Sequence, residues 1–215
     1  MMVSSSSFAE FIISSAILEF NANSEPQQDI ELISRSNTND YIVTEISEIL
    51  NPESNRETRR IIDDPQKSRL LVTPQKTVLG ARSRKVLRFV LLKKLDHREY
   101  IYRVVVKPVI KGVENTTQIG LKVLVGYEVL VIIRPEKVIS QYTAKRTGNK
   151  LTITNVGNTN LLFQDGKQCI TSNNCKTLTA LRVYPEQTVT ADLPLDKSVQ
   201  YSLWNGTEIK ELQVE

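Results

Sequence analysis

Short stretches in which apolar and polar residues alternate recur along almost the whole chain, and clusters of Asn, Ser, Gly and Pro separate them. Alternation with a period of two sends successive side chains to opposite faces of a β-strand. No stretch keeps a helical period beyond two turns with capping residues at its ends. In the first half, the pattern predicts strands at residues 30–34, 41–50, 70–73, 86–92, 99–109 and 119–133.

The last of these stretches is far longer than one ordinary strand needs. Every second residue on one of its faces is apolar, namely Ile119, Leu121, Val123 and Val125. The opposite face is mixed and carries Gly120, Lys122, Leu124 and Gly126. Such a strand is expected either to cross from one domain into the next or to lend its apolar face to another chain. The alternative is that this stripe packs into the protein's own core.

After the long stretch, the pattern restarts with shorter elements. It predicts strands at residues 137–143, 150–155, 160–164, 177–184, 188–193, 198–204 and 208–214, and Asn205-Gly206 favours a tight hairpin. About seven short strands in each half, without helical crossovers, predict two immunoglobulin-like β-sandwiches. Pro135 cannot donate to a ladder and suits a rigid junction. We therefore predict domains at residues 1–135 and 136–215.

Composition narrows the function classes. Of the 215 residues, 40% are hydrophobic and 24% are charged, which is ordinary for a globular protein. The net charge is +4, but Lys and Arg are interleaved with Asp and Glu, so nucleic-acid binding is not predicted. No stretch reaches the roughly 18 apolar residues of a membrane helix, and Glu10 and Glu19 interrupt the nearest one. We expect no membrane insertion.

Residues suited to catalysis are scarce. His97 is the only histidine, and it lies in a polar turn rather than beside a nucleophile. The chain has no Gly-rich phosphate loop and no acidic metal-ligand cluster. Asn205-Gly-Thr207 matches a glycosylation sequon, a match that often arises by chance. The sequence predicts a protein that is not an enzyme and that has no cofactor and no metal.

Cys169 and Cys175 are the only cysteines, and they flank a short segment rich in polar residues. With one histidine in the chain, they cannot complete a closed zinc site. A disulfide in a short loop is the preferred interpretation, and it indicates an oxidising compartment. The alternative is two free thiols in the cytosol.

Several stretches together resemble one known family. They are Leu70-Leu-Val-Thr-Pro-Gln-Lys-Thr-Val-Leu-Gly-Ala-Arg-Ser-Arg-Lys-Val-Leu-Arg88, Glu99-Tyr-Ile-Tyr-Arg-Val-Val-Val106, Arg134-Pro135, Asn155-Val-Gly-Asn158, the cysteine loop, Tyr184-Pro185 and Leu203-Trp-Asn-Gly206. Their order and spacing resemble the periplasmic pilus-assembly chaperones of the chaperone–usher pathway. Within that family they are similar to the alternate class, which serves colonisation-factor and common-pilus fimbriae.

The resemblance implies two immunoglobulin-like domains at an angle, shaped like a boomerang. It implies a periplasmic chaperone that folds and caps fimbrial subunits, both pilin and tip adhesin, and delivers them to an outer-membrane usher. In this family a chaperone strand completes a subunit that lacks its last strand, with main-chain bonds and alternate side chains in pockets. By position, the donor residues here are Ile119, Leu121, Val123 and Val125.

The resemblance also implies a basic anchor for the subunit's terminal carboxylate. Conventional members use a lysine late in the donor strand and an arginine in the first strand. Leu130 occupies the first position, and residues 11–20 contain no basic residue. The candidates here are Arg103, Lys107 and Lys122, and strand pairing is expected to set Arg103 near Val125.

One further pair follows from the resemblance. Arg134 matches a family arginine in an inter-domain salt-bridge network, and Glu99 is its expected partner.

Two other functions stay open at this point. A fimbrial subunit or adhesin shares the fold class and compartment, but a pilin is expected to be a single domain with an exchangeable N-terminal extension. A carbohydrate-binding sandwich is expected to expose aromatic residues on one face, and this chain has one Trp and five Phe.

Overall fold

The computed structural model describes residues 11–109, 124–171 and 173–215. Within these ranges every regular element is a β-strand, except for a 3-10 turn at Pro65–Lys67. The strands are β1 (Phe11–Ile13), β2 (Ile17–Phe20), β3 (Gln27–Ser34), β4 (Asp40–Leu50), β5 (Thr58–Ile61), β6 (Leu70–Thr73), β7 (Lys76–Leu79), β8 (Arg84–Leu91), β9 (Tyr100–Val109), β10 (Tyr127–Ile133), β11 (Tyr142–Thr147), β12 (Lys150–Asn155), β13 (Leu161–Thr171), β14 (Asn174–Thr177), β15 (Leu181–Val183), β16 (Thr188–Asp192), β17 (Val199–Trp204) and β18 (Ile209–Val214).

The strands belong to two units. The first unit runs to Lys94 and resumes over Tyr100–Ile132, whereas the second consists of Leu95–Glu99 and Ile133–Glu215. The boundary predicted at Pro135 therefore differs from the division at Ile133. Nothing in the sequence pattern indicated that five residues before β9 belong to the second unit.

Two sheets form the first unit. One has the strand order β1-β3-β8-β6, and the other has the order β2-β10-β9-β4-β5 with β7 also paired to β4. Leu32 and Phe89 from the first sheet, and Ile42, Val104 and Val131 from the second, are almost completely shielded from solvent. Alternate residues of β3, β4 and β8 therefore face one apolar core, as a period of two requires.

The second unit is also a sandwich. Its sheets have the orders β11-β12-β16 and β14-β13-β17-β18, and β15 pairs with β13. Phe163 lies at the centre of the core, with the rings of Tyr142 and Tyr201 edge-on to it at centroid distances of 5.7 Å and 6.1 Å. The predicted all-β class with two immunoglobulin-like sandwiches is confirmed.

Some strands were not predicted, or begin at other residues than predicted, because their sequences lack a clear alternation of apolar and polar residues. All four residues of β5 are exposed, so no apolar alternation marks this strand. Residues 137–143 were predicted as a strand, but β11 begins only at Tyr142. Of the long stretch at 119–133, residues 119–123 lie outside the described residues, and β10 begins at Tyr127.

Candidate functional site

The apolar stripe is the first feature to locate. Ile119, Leu121 and Val123 lie outside the described residues, as does Lys122. Val125 is described, and 44% of its surface is exposed to solvent. The one stripe residue that the structure describes therefore stands at the surface of the first unit.

Gly126 follows the stripe and brings the backbone close to β9. A Cβ at Gly126 would lie 3.2 Å from both the Lys107 Cβ and the Val106 carbonyl oxygen. The absence of a side chain permits this approach. The expected register was wrong, because the chain at 125–126 lies beside Lys107 and not beside Arg103, which is four residues earlier on β9.

An open groove lies next to the point where Gly126 approaches β9. It has a volume of about 420 Å³ and is lined by Val105, Lys107, Pro108, Leu124, Gly126, Tyr127 and Glu128. Its apolar wall comes from β9 and from the residues leading into β10, and Lys107 and Glu128 add one charge of each sign. The groove is thus suited to an extended apolar segment that carries a polar or charged group.

The two described anchor candidates already form ion pairs. Arg103 Nε lies 3.6 Å from Glu128 Oε1, and Lys107 Nζ lies 2.8 Å from Glu45 Oε1. The second Glu128 oxygen, Oε2, accepts a hydrogen bond of 2.7 Å from Arg59 Nη1. This hydrogen bond and the charge of Glu128 raise the pKa of Arg59. Sequence reasoning missed Arg59 and Glu128, because cross-strand neighbours become visible only once the strand order is known.

The Arg134–Glu99 pair lies in the second unit. Arg134 is fully buried, and its Nη1 is 3.3 Å from Glu99 Oε2. The same nitrogen donates to Thr159 Oγ1 at 2.7 Å and to the Asn160 carbonyl oxygen at 2.8 Å. Glu99 Oε2 also accepts hydrogen bonds from Thr159 Oγ1 and from the backbone and side-chain nitrogens of Asn160.

This network holds two opposite charges away from water. Burial raises the pKa of Glu99, and the charge of Arg134 and the hydrogen bonds from Thr159 and Asn160 act in the opposite direction. Gly206 lies against the guanidinium of Arg134 with φ of +92°, a conformation that favours glycine. Since Arg134 and Glu99 both belong to the second unit, the inter-domain role of the pair stays a prediction.

Comparison with known proteins decides the family. The chain is 31% identical to a CFA/I fimbrial subunit of Escherichia coli over 181 residues, which cover 78% of this chain and 73% of that protein. The crystal structure of the class 5 fimbriae chaperone CfaA matches with a TM-score of 0.69 and 25% identity, over 95% of this chain and 99% of that chain. This chain belongs to the family of chaperone–usher pilus chaperones.

A second solved structure agrees with this fold. A chain from the complex of the Salmonella enterica SafA pilin with the SafB chaperone matches with a TM-score of 0.66 and 17% identity, with 97% of each chain covered. No protein-family model matches the sequence. Both sandwiches of the chaperone take part in the match to CfaA, whereas a pilin was expected to be a single domain. The prediction of a pilus chaperone is therefore confirmed over a pilin, an adhesin or a carbohydrate-binding protein.

The disulfide of the chaperone is confirmed as well. Cys169 on β13 and Cys175 on β14 are direct cross-strand partners and are bonded to each other. The alternative of two free thiols is wrong. The cysteines were expected in a loop, but they lie at the base of a short hairpin.

The structure also shows the contacts of two other residues that the sequence analysis considered, His97 and Asn205. His97 is exposed, and its Nδ1 lies 2.6 Å from Asp96 Oδ1. Asn205 is buried, with its Nδ2 donating to Ser140 Oγ and its Oδ1 accepting from Thr207 and Glu208. Within the described ranges of the chaperone, no group of three or more His, Cys, Asp or Glu could hold a metal ion, and no helix is long and apolar enough to cross a membrane.

Proposed function

We propose that this chaperone acts in the periplasm, where it captures fimbrial subunits by donor-strand complementation and passes them to an outer-membrane usher. It does so without catalysis or a cofactor. The observation that carries the proposal is the alternating stripe, which leads into β10 through an exposed Val125 beside the open groove. The Cys169–Cys175 disulfide supports an oxidising compartment such as the periplasm.

The stripe would supply both affinity and register. A strand added to the open edge of a fimbrial protein gains main-chain hydrogen bonds, and its alternate side chains fill pockets. Ile119, Leu121, Val123 and Val125 would enter the subunit, and each buried aliphatic side chain contributes about 1.5–3 kcal/mol before ordering costs. Lys122, on the opposite face, would stay in solvent.

A basic residue at the groove, or paired with a residue that lines it, would hold the subunit's terminal carboxylate. Lys122 lies outside the described residues, and Lys107 faces Glu45. We favour Arg103, because its guanidinium presents a fork of donors that matches a carboxylate.

The donor role is tested by co-expressing the chaperone with a pilin and isolating the soluble one-to-one complex. Leu121→Asp should reduce capture at least about 100-fold, since an unpaired carboxylate entering an apolar pocket costs several kcal/mol. Val123→Asp should behave in the same way. Ile209→Asp is the matched control, because Ile209 is an aliphatic residue on β18 with 59% of its surface exposed.

Thermal unfolding of the free variants separates binding from folding. We expect Leu121→Asp to melt at the temperature of the unchanged protein. If Leu121→Asp unfolds the chaperone, or if it still retains the pilin, the stripe belongs to the protein's own core and the donor proposal fails.

A further inference from the structure

An ion-pair bridge crosses the surface of the larger sheet in the first unit. Its three members are Arg59 on β5, Arg103 on β9 and Glu128 on β10. Glu128 uses a different oxygen for each arginine, with Oε2 at 2.7 Å from Arg59 Nη1 and Oε1 at 3.6 Å from Arg103 Nε. One carboxylate thus joins two cations that the sequence separates by 44 positions (103 − 59).

Both arginines are bound through only part of their donor fork. Glu128 accepts a hydrogen bond from one terminal nitrogen of Arg59, and Arg59 Nε lies 3.9 Å from Glu57 Oε1. That contact and the 3.6 Å contact of Glu128 with Arg103 are both longer than a hydrogen bond. Arg88, in the same unit, shows the contrast, because its Nε and Nη2 donate to both oxygens of Asp29 at 2.9 Å and 2.8 Å. Donors in the bridge therefore stay available to a better-placed carboxylate.

The bridge is also accessible. The side chains of Arg59, Arg103 and Glu128 are 48%, 26% and 34% exposed. Ion pairs at this exposure are weak, so moving Glu128 into solvent costs little. Glu128 also lines the groove beside Val105 and Gly126, which places the bridge at the edge of the surface where an extended segment would lie.

We propose that Glu128 is an internal substitute for a carboxylate of the bound subunit. On capture, the subunit's acidic group takes over Arg103 and Arg59, and Glu128 turns to solvent. This inference rests on the proposed chaperone function and adds Arg59 and Glu128 to its binding site. In the free chaperone Glu128 offsets part of the positive charge of the two arginines. An anion without a strand to fill the groove must therefore displace Glu128.

Glu128→Gln tests the exchange directly. The uncharged amide should hold the arginines less well, and the affinity for the captured subunit should rise about 1.5- to 5-fold, as expected for one exposed ion pair. Asp29→Asn is the matched control, because it breaks an exposed arginine pair on the other sheet and should leave the affinity unchanged. Calorimetric titration of the full chaperone with a synthetic peptide of the subunit's C-terminal strand measures both variants.

Two further comparisons identify the incoming carboxylate. If it is the chain terminus, amidating the peptide should abolish the gain from Glu128→Gln. If it is an acidic side chain, the amidated peptide should keep the gain, and replacing that side chain by its amide should remove it. In either case Arg103→Ala and Arg59→Ala should each cancel the gain, and Arg103→Lys should restore part of it.

The result that overturns the exchange is an unchanged or lower affinity for Glu128→Gln, since the bridge would then only support the sheet. This failure is distinct from failure of the donor strand. Loss of capture in Leu121→Asp together with no gain in Glu128→Gln would retain the donor proposal and reject the exchange. A gain in Glu128→Gln with normal capture by Leu121→Asp would retain the exchange and reject the donor proposal.

Discussion

Single residues determine how the second unit tolerates a buried charge. Arg134 is fully shielded, and its Nη1 contacts Glu99, Thr159 and Asn160 on one side. On another side it meets the backbone of Gly206, which leaves no room for a side chain. The resemblance predicted the pair of Arg134 with Glu99. The roles of Thr159, Asn160 and Gly206 could not be predicted, because they depend on how the loops after β12 and β17 converge.

Gly206→Ala should destabilise the chaperone by about 1–3 kcal/mol, from strain in the left-handed region and from displacement of Arg134. The added Cβ would lie 2.3 Å from Arg134 Nε, closer than any real contact. Chemical denaturation measures the loss. Gly148→Ala is the control, because Gly148 also has a positive φ (+56°) but a Cβ there meets no atom within 4 Å. Equal losses in the two variants would assign the effect to backbone strain alone.

At the scale of elements, strands with a clear apolar face were predictable and strands without one were not. The predicted 150–155 coincides with β12, and the predicted 41–50 differs from β4 by one residue at its start. By contrast, β14 has four exposed residues, and it pairs with the end of β13 around the disulfide. Because the predicted strand 160–164 relied on apolar residues, it stopped well before Thr171, where β13 ends.

Replacing both Cys169 and Cys175 by Ser should lower the free energy of unfolding by about 2 kcal/mol, since the loop that the disulfide closes is short. The core end of β13, from Leu161 to Gln164, should keep its hydrogen-exchange protection, because it pairs with β15 and β17 and Phe163 is fully buried. Reduction of the unchanged protein should give a loss of the same size. A variant that fails to fold would show instead that the hairpin is needed to form the second unit.

For the whole molecule, two sandwiches followed from counting strands, but the path of the chain between the units did not. Residues Leu95–Glu99 belong to the second unit although β9, which follows at once, belongs to the first. A polar turn such as this carries no apolar signal that would assign it to either core. Its importance becomes visible only when Glu99 is found beside Arg134.

A fragment of residues 133–215 should therefore be unstable, although it includes every strand from β11 to β18. It retains the buried Arg134 and lacks Glu99, and a buried charge without its partner costs about 3–5 kcal/mol. Arg134→Met in the same fragment should recover part of the stability, as judged by the midpoint of urea unfolding. A fragment as stable with arginine as with methionine would show that water replaces the carboxylate.

The contribution of Leu95–Glu99 to the second unit also bears on how such chaperones diversify. A gene crossover near codon 135 would join Glu99 and Arg134 from one parent to Thr159, Asn160 and Gly206 from the other. Hybrids would survive only when both parents encode matching halves of this network. Lineages of these chaperones are accordingly expected to exchange complete genes, or segments that encode solvent-facing parts such as the Cys169–Cys175 hairpin. They should exchange gene halves that each encode one unit less readily.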